Sequence, residues 1–127
     1  MPPKMDRVLG RVSALRGVEA VVGLVPPGTV LVVLEQGGRP TAHHGYDAAE
    51  AGDLAARLEA AADTVANGEP ATNRTDAPSP RFVVRAQWPT VAVWLADRAG
   101  ARDLGLDFSP RAARELAQLL RRAAAAK

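Results

Sequence analysis

An internal repeat, offset by 62 residues, constrains the fold of this chain more than any other feature of its sequence. Residues of the same type or class recur at that offset without a gap, namely Leu54 and Leu116, Leu58 and Leu120, Tyr46 and Phe108, Pro27 and Pro89, Gly38 and Gly100, and Val22 and Val84. Alanine matches are common by chance in a sequence this rich in alanine, whereas matched prolines, glycines and aromatic residues are rarer. The repeat predicts two copies of one unit over about residues 18–66 and 80–127, joined by a linker at about residues 67–80.

The first predicted unit consists of two or three strands followed by a helix. Apolar runs on either side of a Pro-Pro-Gly turn, and a candidate third strand, lie at residues 18–25, 29–35 and 39–44. Residues 46–66 carry apolar side chains at helical spacing. Asp47 is the predicted N-cap of this helix, because Glu50 follows it in capping-box register.

The second predicted unit repeats this order. Extended segments are expected at residues 81–88, 90–97 and 103–107. Ser109 is the predicted N-cap of the last helix and Pro110 is its first residue.

Together these elements predict an α+β fold. One hairpin with one helix cannot bury both its sheet face and its helix stripe, but two copies can form one antiparallel sheet with both helices on one face. The apolar spacing over residues 4–16 predicts a further short N-terminal helix, although Gly10 disfavours it. At 127 residues, the chain is expected to be a single domain over residues 1–127.

The two predicted helices carry opposite charges. The acidic residues of the first helix are Asp47, Glu50, Asp53, Glu59 and Asp63, and the basic residues of the second are Arg111, Arg114, Arg121, Arg122 and Lys127. If the helices lie side by side, these charges attract the unlike halves of the chain and disfavour pairing of like halves. The alternative is that both sets are solvated surface charges, each pair of which contributes little.

The sequence carries no signature of a catalytic or metal site. It has no cysteine, which excludes disulfides and thiolate chemistry, and it lacks the common phosphate-binding, nucleophile and metalloprotease motifs. His43 and His44 are adjacent on a predicted strand, so their side chains point to opposite faces and cannot easily share a metal. We therefore expect a protein that is not an enzyme and that binds no metal and no cofactor.

Charge and hydropathy bear on partners and location. The formal net charge is only +2, which is small for a nucleic-acid-binding protein. No apolar run approaches the ~20 residues that cross a membrane, and no targeting segment is visible. We expect a cytoplasmic monomer or homodimer without a membrane partner.

Trp94 is the most informative aromatic residue. It alternates with Val93 and Leu95 on a predicted strand, so it lies on the open face of the sheet if those two residues face the helices. Its expected neighbours on that face are Ala92, Ala96, Val30 and Val32. An apolar open face is a candidate docking surface for another protein. The alternative is that the N-terminal helix or a second copy of the chain covers it.

The sequence therefore predicts a non-enzymatic interaction module, a regulator, adaptor or chaperone-like protein that binds another protein or a peptide segment. The predicted binding residues are Trp94, Ala92 and Val32. The alternative is a nucleic-acid-binding protein that uses the basic last helix, through Arg111, Arg114, Arg121 and Arg122. Such binding would weaken steeply with salt, and the acidic first helix argues against a continuous basic footprint.

Residues 91–120 resemble two kinds of small actinobacterial protein. The first is the family of regulatory partner proteins of helix-turn-helix regulators, and the likeness is carried by Val93, Asp97, Gly100, Phe108, Ser109 and Pro110. The second is the dimerisation domain of the histone-like bridging protein, which is also a hairpin followed by a helix. The chain lacks the tryptophan-led opening motif of the first and the DNA-hook segment of the second. The resemblance implies a protein-interaction role and assigns no functional residue. The predicted element order is also similar to secretion-chaperone-like folds, which bind peptide segments.

Overall fold

The computed structural model describes residues 7–25, 28–68, 81–95 and 106–126. The strands are β1 (Arg7–Ser13), β2 (Val18–Val25), β3 (Thr29–Gln36), β4 (Arg39–Tyr46), β5 (Phe82–Gln87), β6 (Thr90–Leu95) and β7 (Leu106–Phe108). The helices are α1 (Ala48–Ala66), which follows β4, and α2 (Pro110–Ala125), which follows β7. One 3₁₀ turn, Leu15–Gly17, connects β1 to β2. Most of the predicted linker, residues 69–80, lies outside the described residues.

The strands form two antiparallel sheets, one of four strands in the order β1-β2-β3-β4 and one of three in the order β5-β6-β7. The α+β class with antiparallel pairing is thus confirmed, whereas the expected single sheet is wrong. β5 begins near the end of β4 but does not pair with it, and Arg81, directly before β5, contacts β4 through its side chain. The Arg81 guanidinium donates a hydrogen bond of 2.6 Å to the carbonyl oxygen of Gly45. It also donates one of 3.4 Å to Glu50.

The expected N-terminal helix is also wrong over the residues that the structure describes, because Arg7–Ser13 is strand β1, paired with β2. The helical spacing of apolar residues there was misleading. Val12 is buried, but Val8 and Leu15 are 56% and 48% exposed, so these residues do not share one buried face. In strand β1, Gly10 allows α2 to pack directly onto the backbone. A Cβ atom at Gly10 would lie 2.8 Å from Cδ2 of Leu119.

Both predicted helix starts are confirmed. The Asp47 carboxylate accepts a hydrogen bond of 2.7 Å from the backbone N–H of Glu50. The Glu50 side chain in turn accepts one of 3.1 Å from the backbone N–H of Asp47, which completes a capping box. In α2 the Ser109 hydroxyl accepts a hydrogen bond of 3.1 Å from the backbone N–H of Ala112. These bonds satisfy N–H groups that a helix cannot pair internally.

One core contains residues from both sheets and both helices. The strands contribute every second residue to it, chiefly Ala20, Val22, Val30, Val32, Leu34, Val91, Val93 and Leu95. The helices contribute the predicted stripes, with Leu54, Leu58, Leu116 and Leu120 at most 4% exposed. Tyr46 and Phe108, each the last strand residue before a helix, are 1% and 0% exposed. The core therefore connects the two sheets through the helices.

The opposite face of the four-stranded sheet combines a small buried cluster with charged residues. Val21, Leu31 and Val33 form the cluster. Beside it, Arg11 lies 2.6 Å from Glu35 and 3.3 Å from Glu19, so one guanidinium bridges three strands. The hydrogen bonds to Glu35 and then to Glu19 raise the pKa of Arg11 above its ordinary value. Within the described parts of the chain, neither helix is long and apolar enough to cross a membrane.

A substitution at Gly10 tests the packing of α2 on β1, and one at Gly52 serves as the comparison. Gly10→Val should lower the free energy of unfolding by about 1–3 kcal/mol, because the added atoms overlap Leu119. Gly52 lies in α1, and a Cβ atom there would meet nothing within 4 Å. Gly52→Ala should therefore raise the free energy of unfolding by up to about 1 kcal/mol. Urea denaturation of the two variants measures both effects. A Gly10→Val protein as stable as the wild type would contradict the contact with α2.

Candidate functional site

Two of the three residues predicted to bind a protein lie on the outward face of the three-stranded sheet. Val91, Val93 and Leu95 of β6 point into the core. Because side chains alternate along a strand, Ala92 and Trp94 point away from it. Trp94 is half-buried, and Ala92 is only 1% exposed. The outward orientation predicted for Trp94 is therefore correct.

Arg85 covers part of the Trp94 ring. Its guanidinium carbon lies 5.7 Å from the ring centroid, within the range of a cation–π interaction. Arg85 pairs with Ala92 in the register of β5 and β6, and Val83 pairs with Trp94. The outward face of this hairpin thus presents the ring of Trp94, the side chain of Val83 and the exposed cation of Arg85.

The third predicted residue, Val32, does not lie on this face. It belongs to β3 in the other sheet, points into the core and is 2% exposed. The ungapped offset of 62 matches Val32 to Trp94, but it does not allow for a difference in length between the two hairpin turns. The β2–β3 turn lies between the paired residues Val25 and Thr29, whereas the β5–β6 turn lies between Gln87 and Thr90 and is one residue shorter.

This difference changes how the strands after the two turns correspond. Before the turn an offset of 62 relates the strands, but after it the core residues Val32 and Leu34 correspond to Val93 and Leu95, an offset of 61. A shift of one residue moves a side chain to the opposite face of a strand. Val32 therefore corresponds to Val93 and not to Trp94, and the ungapped alignment of the two units is wrong in this strand.

Trp88, which the sequence analysis did not select, is the most exposed large apolar residue among those described. It occupies the β5–β6 turn and is 69% exposed. Its position at the end of a predicted extended segment, directly before Pro89, was the available signal. A side chain at the tip of a hairpin has no neighbouring strand to cover it, whereas Trp94 lies within a strand and has Arg85 beside it.

The basic arginines of α2 have different surroundings. Arg114 lies 2.7 Å from Asp63 of α1, and Arg121 lies 2.5 Å from Glu59. Asp63 follows Glu59 in α1, whereas its partner Arg114 precedes Arg121 in α2. The two helices are therefore antiparallel. The acidic and basic helices thus lie side by side, and two ion pairs form between them.

The other two predicted nucleic-acid-binding arginines remain at the surface. Arg111 lies 3.5 Å from Glu115 of its own helix, and its side chain is 91% exposed. Arg122 is exposed and makes no ion pair with any residue that the structure describes. Half of the predicted basic footprint is therefore already neutralised by carboxylates of α1.

The histidines lie as the strand pattern predicted. His44 points inward and is 5% exposed, whereas the neighbouring His43 is exposed. Within the described ranges, no three His, Cys, Asp or Glu residues lie close enough to hold a metal ion.

Comparisons with protein-family models, with curated proteins and with solved structures gave no match. The assignment of a function therefore depends on the arrangement of residues described above.

A charge-reversal cycle tests the ion pair between Glu59 and Arg121. Arg121→Glu should lower the free energy of unfolding by about 1 kcal/mol, because it places two carboxylates together at a partly exposed contact. The double variant Glu59→Arg/Arg121→Glu should recover most of that loss, and 1 M salt should remove the difference by screening. Urea denaturation at low and high salt measures the coupling. Strictly additive effects of the two substitutions would show that the charges do not interact.

Proposed function

We propose that this protein is a non-enzymatic protein-interaction module of the cytoplasm, and that it binds its partner through the β5–β6 hairpin. The observation that carries the proposal is the exposure of Trp88, which is 69% accessible at the turn of that hairpin. The cysteine-free sequence suits a reducing compartment.

Burial of an exposed tryptophan side chain in an interface contributes a large favourable binding free energy. A tryptophan side chain buries about 150–250 Å² on complete burial, and each Å² of apolar surface contributes about 25 cal/mol. Covering most of Trp88 would therefore stabilise a complex by on the order of 3 kcal/mol, which is typical of an interface hot spot. Tryptophan is also among the residues enriched at such hot spots.

The surroundings of Trp88 indicate the shape of the partner site. A side chain at a hairpin tip protrudes, so the complementary surface must be concave and largely apolar. Trp94 and Arg85 lie on the same hairpin and present a half-buried ring beside an exposed cation. They lie further along the same hairpin and would add polar and apolar contacts beside the inserted Trp88.

We further propose that the two halves are copies of one unit. In support, β2-β3-β4-α1 and β5-β6-β7-α2 have the same order. The N-caps Asp47 and Ser109 are 62 residues apart, and so are Glu59 and Arg121, which pair with each other. A residue that contacts its own equivalent is the mark of a two-fold axis. In a dimer of identical units this position would place like charges together, whereas here it carries opposite ones.

Such an arrangement has a consequence for binding. The helix surface through which a single unit would need to dimerise is occupied within the chain, because α1 and α2 pack against each other. The surfaces that remain for a different protein are then the outward sheet faces and the turns. Trp88 lies in one of these turns.

Substitution of Trp88 tests the proposal. Trp88→Ala should weaken binding of the natural partner about 30-fold, which corresponds to a loss of about 2 kcal/mol. The fold should be little affected, since this side chain is mostly exposed. The measurement is quantitative affinity capture from native host lysate, with nuclease added, followed by titration of the captured partner against the purified variants.

Val8→Ala is the matched control, because Val8 is also an exposed apolar residue, at 56%, but lies in the other sheet. A partner that survives nuclease and binds Trp88→Ala as well as the wild type would refute the proposal. Binding that requires nucleic acid and falls steeply with salt would instead favour the alternative, through Arg111 and Arg122.

A further inference from the structure

In the part of the chain that the structure describes, three of the four sheet edges carry a feature that opposes pairing with another strand. β1 has a register irregularity between Val8 and Gly10. β4 has one opposite Leu34 and Glu35, contains Pro40, and has its Gly45 carbonyl bound by Arg81. Within the described ranges, β7 covers only three residues, Leu106–Phe108. Irregularities, prolines and short strands are the usual protection of a sheet edge.

The fourth edge, β5, carries none of these features. Its pairing with β6 is continuous over six residues, from Phe82 opposite Leu95 to Gln87 opposite Thr90. β5 contains no proline, and within the described ranges it pairs with no other strand. Hydrogen bonding alternates along an antiparallel strand, and a two-residue turn closes on a bonded pair. The N–H and C=O groups of Val84 and Ala86 are therefore expected to point to the open edge.

We propose that β5 binds an extended segment of a partner protein, which adds a strand to the three-stranded sheet. This inference rests on the proposed function, and it identifies the kind of segment that the hairpin receives. Main-chain hydrogen bonds would supply affinity, and the alternating side chains of the segment would supply specificity. Trp88, at the end of the same strand, would insert beside the added segment.

The side chains of β5 determine the chemistry of that segment. Val84 and Ala86 pack against the core yet remain partly exposed, so the added strand should place apolar residues beside them. Arg85 is exposed on the other face, and β5 contains no carboxylate. An acidic residue directly across from Arg85 is therefore favoured, since opposite charges on neighbouring strands stabilise a sheet. The fitting segment alternates apolar and acidic residues.

A second copy of this chain fits the edge less well. Pairing of β5 with β5 from another molecule would bring the Arg85 side chains of both copies near one another. No carboxylate of β5 would balance them. Like charges across neighbouring strands are destabilising. The partner is therefore a different protein with an acidic, extended segment.

Two synthetic peptides test this inference with the full chain. One is a capped heptapeptide in which glutamate and valine alternate, and the other has lysine in place of glutamate. NMR titration of the isotope-labelled protein should show shifts at residues 82–87, with the glutamate peptide binding about tenfold more tightly than the lysine peptide. Absence of binding by both peptides, or shifts confined to α2, would overturn the inference.

Substitutions at Arg85 and Ala86 separate the backbone from the charge. Ala86→Pro removes an N–H at the edge and should reduce binding at least about tenfold, whereas Ala86→Val keeps that N–H and should bind like the wild type. Arg85→Glu leaves the backbone unchanged and should reverse the preference, so that the lysine peptide binds more tightly. An unchanged preference in Arg85→Glu overturns the proposed chemistry even if Ala86→Pro does not fold.

The natural partner distinguishes this inference from the proposed function. A partner whose binding is lost in Trp88→Ala but unchanged in Ala86→Pro would support the hairpin tip and refute strand addition. A partner insensitive to both substitutions would refute both proposals. Loss of binding in both variants supports strand addition beside an inserted Trp88.

Discussion

The contact between α1 and α2 is the interaction on which the rest of this structure depends. Each helix packs against the other and also against strands of both sheets. Leu58 of α1 and Leu120 of α2 are fully buried in the core that results. Burying a leucine side chain contributes about 1.5–3 kcal/mol, so the apolar stripes supply most of the stabilisation that joins the two halves. Without this contact, the inner face of each sheet would be left partly exposed.

The ion pairs at the same contact have a different effect. Glu59 and Arg121 are 44% and 52% exposed, and Asp63 and Arg114 are similarly solvated. Partly exposed pairs contribute about 1 kcal/mol or less each, which is small beside the leucines. Their value lies in specificity, because pairing of two acidic helices or two basic helices would replace attraction with repulsion. Burial thus holds the helices together, while the charges favour pairing of unlike helices over pairing of like ones.

The sequence predicted the parts of the fold that depend on local chemistry. Asp47 and Ser109 begin helices as expected, since capping requires only a side chain and the N–H groups that follow it. The outward orientation of Trp94 followed from alternation along one strand. The apolar spacing of residues 4–16 fits a helix or a strand. The contact of Leu119 with Gly10, which accompanies the strand, is a tertiary contact that the local sequence does not contain.

Other features depended on geometry that a single sequence does not contain. The division into two sheets is a matter of strand pairing, which joins residues distant in the chain. Val32 was placed on the wrong face because the two hairpin turns differ by one residue. The position of Trp88 before Pro89 was a signal in the sequence, but the extent of its exposure depends on neighbours that are known only once the strands are placed.

In the proposed function, the chain completes its own core and presents the β5–β6 hairpin to another protein. Hydrogen–deuterium exchange of the full chain, free and bound to its captured partner, tests this binding mode most directly. We predict new protection of backbone amides across residues 82–95, with little change in α2. New protection of residues 110–125, with β5 and β6 unchanged, would contradict it.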